Sequence, residues 1–436
     1  MVVTLSFSKH TLENGLDVIL HEDHSCPIVA INVWYHVGSK NERPGHTGFA
    51  HLFEHLMFEG SAHHDHGYFQ PLQGAGAALN GSTNADRTNY WEVVPVNALE
   101  LGLWMESDRM GYLLPALTEA KFANQRDVVL NERRQNYENR PYGLAPMAML
   151  GALFPPDHPY HWTTIGEIAD LNAAGLEEAH AFFRRYYHPA NASLVLAGDI
   201  NPTEALALVR AYFGEIPAGE PVAAVRAEAS LDRDVRIRLE DRVELPRLSL
   251  AWLSPAMFAD DDADLDLATD LLANGKTSRL YRRLVFEERI ATDVSAGQHS
   301  REIAGHLQVS ATAAPGHALG EIEAVILQEI ERLGRDGPTD DEIDRGRVQA
   351  EAQFVYRLQS VGGFGGKSDQ LNAYNVLVGD PAYFDRDLAR YYAVTKASLQ
   401  RAVARYFDPA RRVTLSIVPR GRLELAAPDS EPVAVS

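Results

Sequence analysis

Three scarcities narrow the classes of protein that this 436-residue chain can belong to. Its single cysteine, Cys26, excludes an intrachain disulfide and a metal site made of thiolates. No apolar run reaches 18 residues, so the sequence predicts no membrane-spanning helix. Lys and Arg number 40 against 60 Asp and Glu, and the resulting charge of −20 argues against nucleic acid or a membrane surface as a partner.

The start of the chain lacks the basic segment and apolar run of a signal peptide. We therefore expect a soluble, cytoplasmic protein, or a periplasmic one if a leader has been removed. A hydrophobic fraction of 45% and a charged fraction of 23% are those of an ordinary globular protein with core enough for two or more domains.

The residues best suited to catalysis lie in one short segment, from Gly48 to Gly60. It has no proline and no β-branched residue, and it ends in glycine, which together predict a mostly buried helix. On that helix His51, Glu54 and His55 fall within one narrow arc. Two histidines at this spacing can bind zinc, and the carboxylate beside them can accept a proton from water. Taken alone, so short a match is equally compatible with two core histidines and a surface glutamate that have only structural roles.

A third ligand has to come from another helix, and Glu132 is the best candidate. Thr118 followed by Glu119 predicts the start of a helix, on which Phe122 and Glu132 share one face. A carboxylate on a largely apolar face needs a partner, and a metal ion would provide one.

The order H-x-x-E-H is the inverse of the commoner H-E-x-x-H zinc motif. With it, the sequence resembles the pitrilysin and mitochondrial processing peptidase family, in which a glutamate about 76 residues after the second histidine is the last zinc ligand. Here 76 residues lie between His55 and Glu132. The resemblance implies one Zn²⁺ per chain, bound by His51, His55 and Glu132, with Glu54 as the catalytic base. Gln125 stands where relatives often have a second glutamate, and we expect its amide to orient a ligand.

A predicted hairpin, from Leu79 to Ser82 and from Thr88 to Val94, follows the histidine helix. An edge strand there could pair with an extended peptide through main-chain hydrogen bonds. The alternative is an edge strand that binds no peptide. The family resemblance implies a substrate-binding role for Asn80 and Gly81.

The second half of the sequence repeats the first. The segment from Arg185 to Ala190 recurs 220 residues later, from Arg405 to Ala410. We expect an α+β fold with two homologous domains, each an antiparallel-rich sheet packed against helices: residues 1–217 with the zinc site, a linker at 218–232, and residues 233–436. The counterpart of the histidine helix, near Leu265 to Gly275, has neither His nor Glu, so the second half should bind no zinc.

The resemblance also implies what the chain lacks. Family members that act alone carry an arginine and a tyrosine, seven residues apart, that hold the substrate backbone; Val285 and Thr292 occupy those positions here. We therefore expect a heterodimer in which a paralogous subunit supplies this clamp, with a homodimer as the rival. The glycine-rich segment from Gly362 to Gly366 is either a substrate-side loop or a break between two helices.

Together these features predict a zinc metalloendopeptidase acting on extended peptides in a cavity between domains or subunits. The competing possibilities are a non-catalytic scaffold or binding subunit that keeps the family fold, and a zinc hydrolase acting on small amides.

Overall fold

A computed structural model describes residues 5–435, and their regular structure forms two six-stranded sheets packed with helices. The predicted α+β class is confirmed. The strands, in chain order, are β1 Ser8–Thr11, β2 Asp17–Glu22, β3 Ile28–Tyr35, β4 Ala78–Thr83, β5 Thr88–Pro95, β6 Ala192–Gly198, β7 Val235–Asp241, β8 Arg247–Ser254, β9 Ala291–His299, β10 Gly305–Ala313, β11 Val413–Pro419 and β12 Glu431–Pro432.

The α-helices differ widely in length, and several of the longest lie in the second half of the chain. They are α1 Phe49–Leu56, α2 Phe69–Gly74, α3 Leu99–Tyr112, α4 Glu119–Arg133, α5 Ala145–Leu153, α6 Ile168–Ala173, α7 Leu176–Tyr186, α8 Pro202–Phe213, α9 Asp262–Ala273, α10 Leu319–Asp336, α11 Asp340–Arg357, α12 Lys367–Val378, α13 Phe384–Ala393 and α14 Lys396–Tyr406. Two π-helical turns, Arg134–Glu138 and Tyr281–Glu287, continue or replace helical segments. Within residues 5–435, no helix has both the length and the apolar character needed to cross a bilayer.

Five strands follow the same order in the two sheets, which fits the repeat seen in the sequence. The first runs β1-β2-β6-β3-β5-β4 and the second β12-β7-β11-β8-β10-β9. The pairs β2 with β6 and β7 with β11 are parallel, and β3 and β8 pair antiparallel with β6 and β11; in the second sheet the short β12 is also parallel to β7. Strand β4 is therefore an edge strand of the first sheet, and within residues 5–435 its one strand partner is β5.

The described chain divides into two compact units that do not follow the sequence halves. Unit 1 contains residues 5–131, 164–225 and 352–386, and unit 2 contains residues 132–163, 226–351 and 387–435. Each unit thus includes a segment from the other half of the chain. The homologous-domain boundaries at 217 and 233 stay a prediction, since compactness and duplication are different properties.

The core of unit 1 explains why α12, which lies near the C-terminal end of the sequence, belongs to this unit. Ile19, Ala30, Val195 and Ala197 are fully buried on one face of the first sheet, and Leu371 of α12 packs on them. Asn372 on the same helix donates to the main-chain oxygen of Asn32 at 2.8 Å. Because burial of a Leu or Val side chain contributes about 1.5 to 3 kcal/mol, α12 is an integral layer of this unit.

Candidate metal centre

The start of α1 is fixed by a glycine and a carboxylate. Gly48 has a φ of +90°, where a side chain would be strained, and an added Cβ would lie 3.0 Å from the main-chain oxygen of Ile165. Glu42 accepts hydrogen bonds from the main-chain N–H groups of Gly48 and Ala50, at 3.0 and 2.8 Å. These N–H groups would otherwise be without partners at a helix start, so Glu42 serves as the cap.

The buried side of α1 is aromatic. Phe53 is fully buried and stacks on Phe182 of α7, with ring centroids 5.6 Å apart. The phenol of Tyr90 on β5 donates to the main-chain oxygen of Phe53 at 3.3 Å. These contacts hold the helix in one rotational setting, which leaves His51, Glu54 and His55 on its partly exposed side.

The structure brings Glu132 to the two histidines. One ligand atom from each of His51, His55 and Glu132 lies within 4.8 Å of the others, and the imidazole rings of the histidines are 4.9 Å apart and nearly perpendicular. Glu132 lies near the C-terminal end of α4. In the described part of the chain this is the one group of His, Cys, Asp and Glu side chains close enough to hold a metal ion.

The donor set suits zinc. Two imidazole nitrogens and a carboxylate oxygen are three of its preferred ligands, and tetrahedral bonds of about 2.1 Å put ligand atoms about 3.4 Å apart. Side-chain rotations that move the ligand atoms by about an ångström are enough to bring them from within 4.8 Å of one another to that spacing. These residues therefore fit a zinc ion with one coordination position left for water or substrate.

Two amide side chains on α4 and the turn after it contact carboxylates in this region. Gln125 donates its amide hydrogen bond to Glu59, and its expected role in orienting a ligand stays a prediction. Asn136, which the sequence analysis missed, donates to Glu132 Oε1 at 3.3 Å from the π-helical turn that follows α4. The spacing of four residues from Glu132 was the one available signal for Asn136.

Two residues, Tyr187 and Arg87, lie close enough to Glu54 to respond to its charge. Burial raises the pKa of the Tyr187 phenol, and the negative charge of Glu54 raises it further. Burial lowers the pKa of Arg87, whereas the carboxylates of Asp369 and Glu54 act in the opposite direction. Glu54 thus lies near an aromatic wall and one guanidinium, where electrostatic effects are stronger than in water.

Strand β4 carries both of the residues that the resemblance assigns to substrate binding. Asn80 lies opposite Trp91 and Gly81 opposite Tyr90 in the pairing of β4 with β5. A Cβ on Gly81 would lie 3.2 Å from the ring of Phe58, which leaves little space for any side chain. The outer edge of β4 therefore runs close to the C-terminal end of the histidine helix.

A buried charged cluster, not predicted from the sequence, lies beside β5. Arg109 on α3 donates to Glu106 on the same helix and lies 3.6 Å from Glu92 on β5; all three side chains are at most 1% exposed. The guanidinium is 4.1 Å from the ring centroids of both Tyr68 and Tyr90. Burial, and then the charge of Glu106, raise the pKa of Glu92 well above its ordinary value.

Val285 and Thr292, which occupy the expected clamp positions, both make contacts within unit 2. Val285 lies in the π-helical turn and packs against the core of that unit. The hydroxyl of Thr292 on β9 donates to the main-chain oxygen of Thr312 at 3.3 Å. Neither side chain can replace a guanidinium or a phenol.

Comparisons with known proteins identify the family. A model described as Insulinase (Peptidase family M16) matches residues 17–154, and one described as Peptidase M16 inactive domain matches residues 174–349. The zinc protease PqqE of Helicobacter pylori is 27% identical, covering 96% of this chain and 97% of that protein.

Solved structures agree with these matches. The crystal structure of a protease from Helicobacter pylori has a TM-score of 0.88 and 26% identity, covering 96% of this chain and 100% of that one. The periplasmic protease PqqL from Escherichia coli shares the fold, with a TM-score of 0.79 and 18% identity over 98% of this chain, which is 49% of PqqL. The chain therefore belongs to peptidase family M16, the pitrilysin family, and its Helicobacter pylori relative is named a zinc protease.

Proposed function

We propose that this chain is a zinc-dependent endopeptidase that cleaves peptides bound in extended form. The observation that carries the proposal is the convergence of His51, His55 and Glu132, with Glu54 on the same partly exposed helix side. A scaffold subunit would have no need to keep three ligand side chains within 4.8 Å of one another.

Each residue of the group has a chemical role in this proposal. His51, His55 and Glu132 would hold one zinc ion. When bound, that ion supplies a Lewis acid that polarises the scissile carbonyl and lowers the pKa of water. Glu54 accepts the proton of the attacking water and later gives it to the leaving amine.

The edge strand supplies the binding mode. An extended peptide added beside β4 would pair its main chain with the free edge, so that affinity depends little on side chains. Asn80 and Gly81 lie on that strand. Because Gly81 has no side chain, no atom projects from the strand into the narrow space next to Phe58. This supports peptides over small amides, which have no main chain to pair.

A mixed peptide library tests the proposal directly. The purified chain should contain close to one zinc per chain and cleave peptides, and Glu54→Gln should reduce cleavage by about 10²- to 10⁴-fold with zinc content unchanged. Glu204→Gln, an exposed glutamate on α8, is the matched control and should behave as wild type. A zinc content near zero together with no cleavage would favour the scaffold alternative.

We also propose that a paralogous subunit completes the substrate site. The supporting observation is that Val285 and Thr292 occupy the two clamp positions. PqqL is about twice as long as this chain, which would accommodate two such units in one polypeptide. Weak cleavage that rises on addition of a paralogous chain would support the heterodimer; strong cleavage by a self-associated chain would support the rival homodimer. Cytoplasmic or periplasmic location stays a prediction that fractionation of cells can test.

A further inference from the structure

The glycine-rich loop from residue 360 to residue 366 lies against the first sheet, on the face opposite α1. A Cβ on Gly362 would lie 2.7 Å from the Cβ of Ala30 on β3 and 2.5 Å from a methyl of Val93 on β5. Only a residue without a side chain allows this contact. The loop backbone is therefore seated directly on the two strands.

One aromatic side chain of the loop remains half exposed. Phe364 is 49% exposed, and its ring makes an edge contact with Trp91 of β5, with centroids 5.5 Å apart. A half-exposed ring that already packs on a second ring loses little further entropy when it binds another apolar group.

A buried carboxylate fixes the position of this ring. Asp369 at the start of α12 accepts a hydrogen bond from the main-chain N–H of Gly365 at 2.7 Å. Its other oxygen accepts from the indole of Trp34 at 2.8 Å and from the amide of Asn89 at 3.1 Å. Strands β3 and β5 thus determine where Phe364 lies.

The register of the edge strand connects this ring pair to the site. Trp91 lies directly opposite Asn80 on β4, and directly opposed residues share a sheet face. Ala78 and Asn80, which point to that face, are exposed. Gly81 and Tyr90 point to the other face, next to Phe58. A peptide that adds to β4 would place every second side chain on the Trp91 face.

We propose that Trp91 and Phe364 form an apolar subsite for alternate side chains of the bound peptide, on the sheet face opposite α1. This inference rests on the proposed function for its ligand, an extended peptide. The occupant is a large apolar side chain such as Leu or Phe, because the two rings offer carbon surface next to a strand edge. The loop that carries Phe364 belongs to the second half of the chain, and it would thereby contribute to substrate selection at the candidate zinc site of the first half.

The test compares Phe364→Ala with Phe364→Leu, which keeps an apolar side chain, and with Leu423→Ala, an exposed apolar residue of unit 2. Cleavage products of a mixed library, identified by mass spectrometry, report which positions around the cut bond favour apolar residues. In wild type these positions should recur every second residue. Phe364→Ala should lose the preference at one set of alternate positions and keep any preference at the other, whereas Phe364→Leu and Leu423→Ala retain both.

Binding gives a readout that does not need activity. In a Glu54→Gln background, the ratio of affinities for a labelled Phe-containing peptide and its Ala counterpart should fall about fivefold when Phe364→Ala is added. This ratio can respond to Phe364 even if wild type cleaves nothing, in which case the subsite stands and the proposed function fails.

Cleavage with unchanged preferences and an unchanged binding ratio in Phe364→Ala would overturn the subsite and leave the proposed function intact. A change in oligomeric state by sedimentation, with unchanged preferences, would assign the ring pair to a subunit contact and would also overturn it. No peptide binding by any form of the chain would reject both proposals.

Discussion

Replacing the buried Arg109 with methionine should destabilise unit 1 strongly. The guanidinium is 1% exposed and lies against two carboxylates, Glu106 and Glu92, that are equally buried. Methionine fills a similar volume but leaves the negative charge of this cluster without its cation. Breaking a buried ion pair in this way costs about 3 to 5 kcal/mol, and lost contacts with the rings of Tyr68 and Tyr90 add to it.

The partner variant separates charge from packing. In Arg109→Met with Glu106→Gln, the remaining acid is Glu92, whose pKa is already raised well above its ordinary value by burial, so it can stay protonated. We therefore expect the double variant to be more stable than Arg109→Met alone by about 2 kcal/mol or more.

Urea unfolding followed by far-ultraviolet circular dichroism measures these differences, with each resolved transition fitted separately. Arg332→Met is the matched control, because Arg332 is 62% exposed and should change stability by less than about 0.5 kcal/mol. A cost below about 1 kcal/mol for Arg109→Met, or a double variant no more stable than the single one, would refute the reasoning.

Three further predictions concern the metal group, a buried acid and the seated loop. Asn136→Ala should weaken zinc binding by about tenfold because the variant removes the donor to Glu132, whereas Gln125→Ala, whose amide serves Glu59, should have a smaller effect; competition with a zinc indicator measures both. Burial raises the pKa of Asp266 to about 7, so the folded state binds this proton more tightly and stability falls as pH rises from about 4 to 7. Asp266→Asn should flatten that fall by about 2 kcal/mol, which melting temperatures between pH 5 and 8 would show; equal slopes would contradict it. Gly362→Ala should cost about 1 to 3 kcal/mol because its methyl would collide with Ala30 and Val93, whereas Gly67→Ala, with open space around it, should be neutral in thermal unfolding.

Local sequence signals predicted the first half of the fold well. The hairpin expected from Leu79 to Ser82 and from Thr88 to Val94 is observed as β4 Ala78–Thr83 and β5 Thr88–Pro95. Alternation, turn residues and β-branched side chains are short-range properties, so they are readable without the rest of the chain.

The end of the histidine helix shows a limit of such signals. The sequence predicted a helix as far as Gly60, but α1 ends at Leu56. The apolar residues Met57 and Phe58 continue the helical pattern, yet Phe58 instead turns toward Tyr68 and Tyr90, with ring centroids 5.7 and 5.5 Å away. Tertiary packing decided the boundary, as it often does.

Other features were out of reach because they join distant residues. Glu92, Glu106 and Arg109 look like ordinary surface residues in the sequence, and their burial emerges only when β5 and α3 pack together. Asp369 likewise gains its role from Trp34 and Asn89, which precede it by 335 and 280 residues. In contrast, the motif spacing and the family resemblance together predicted the three side chains that the structure brings together.

The interleaved composition of the two units has a consequence for synthesis of the protein. The histidine-bearing sheet emerges early from the ribosome, but α12, which covers the hydrophobic face that includes Ala30 and Val195, is made only near residue 378. Until then that face has only part of its native cover, from side chains such as Leu5 and Phe7. We expect the nascent first half to depend on chaperones, and a chain truncated at residue 217 to aggregate, so that the candidate zinc site matures late in translation.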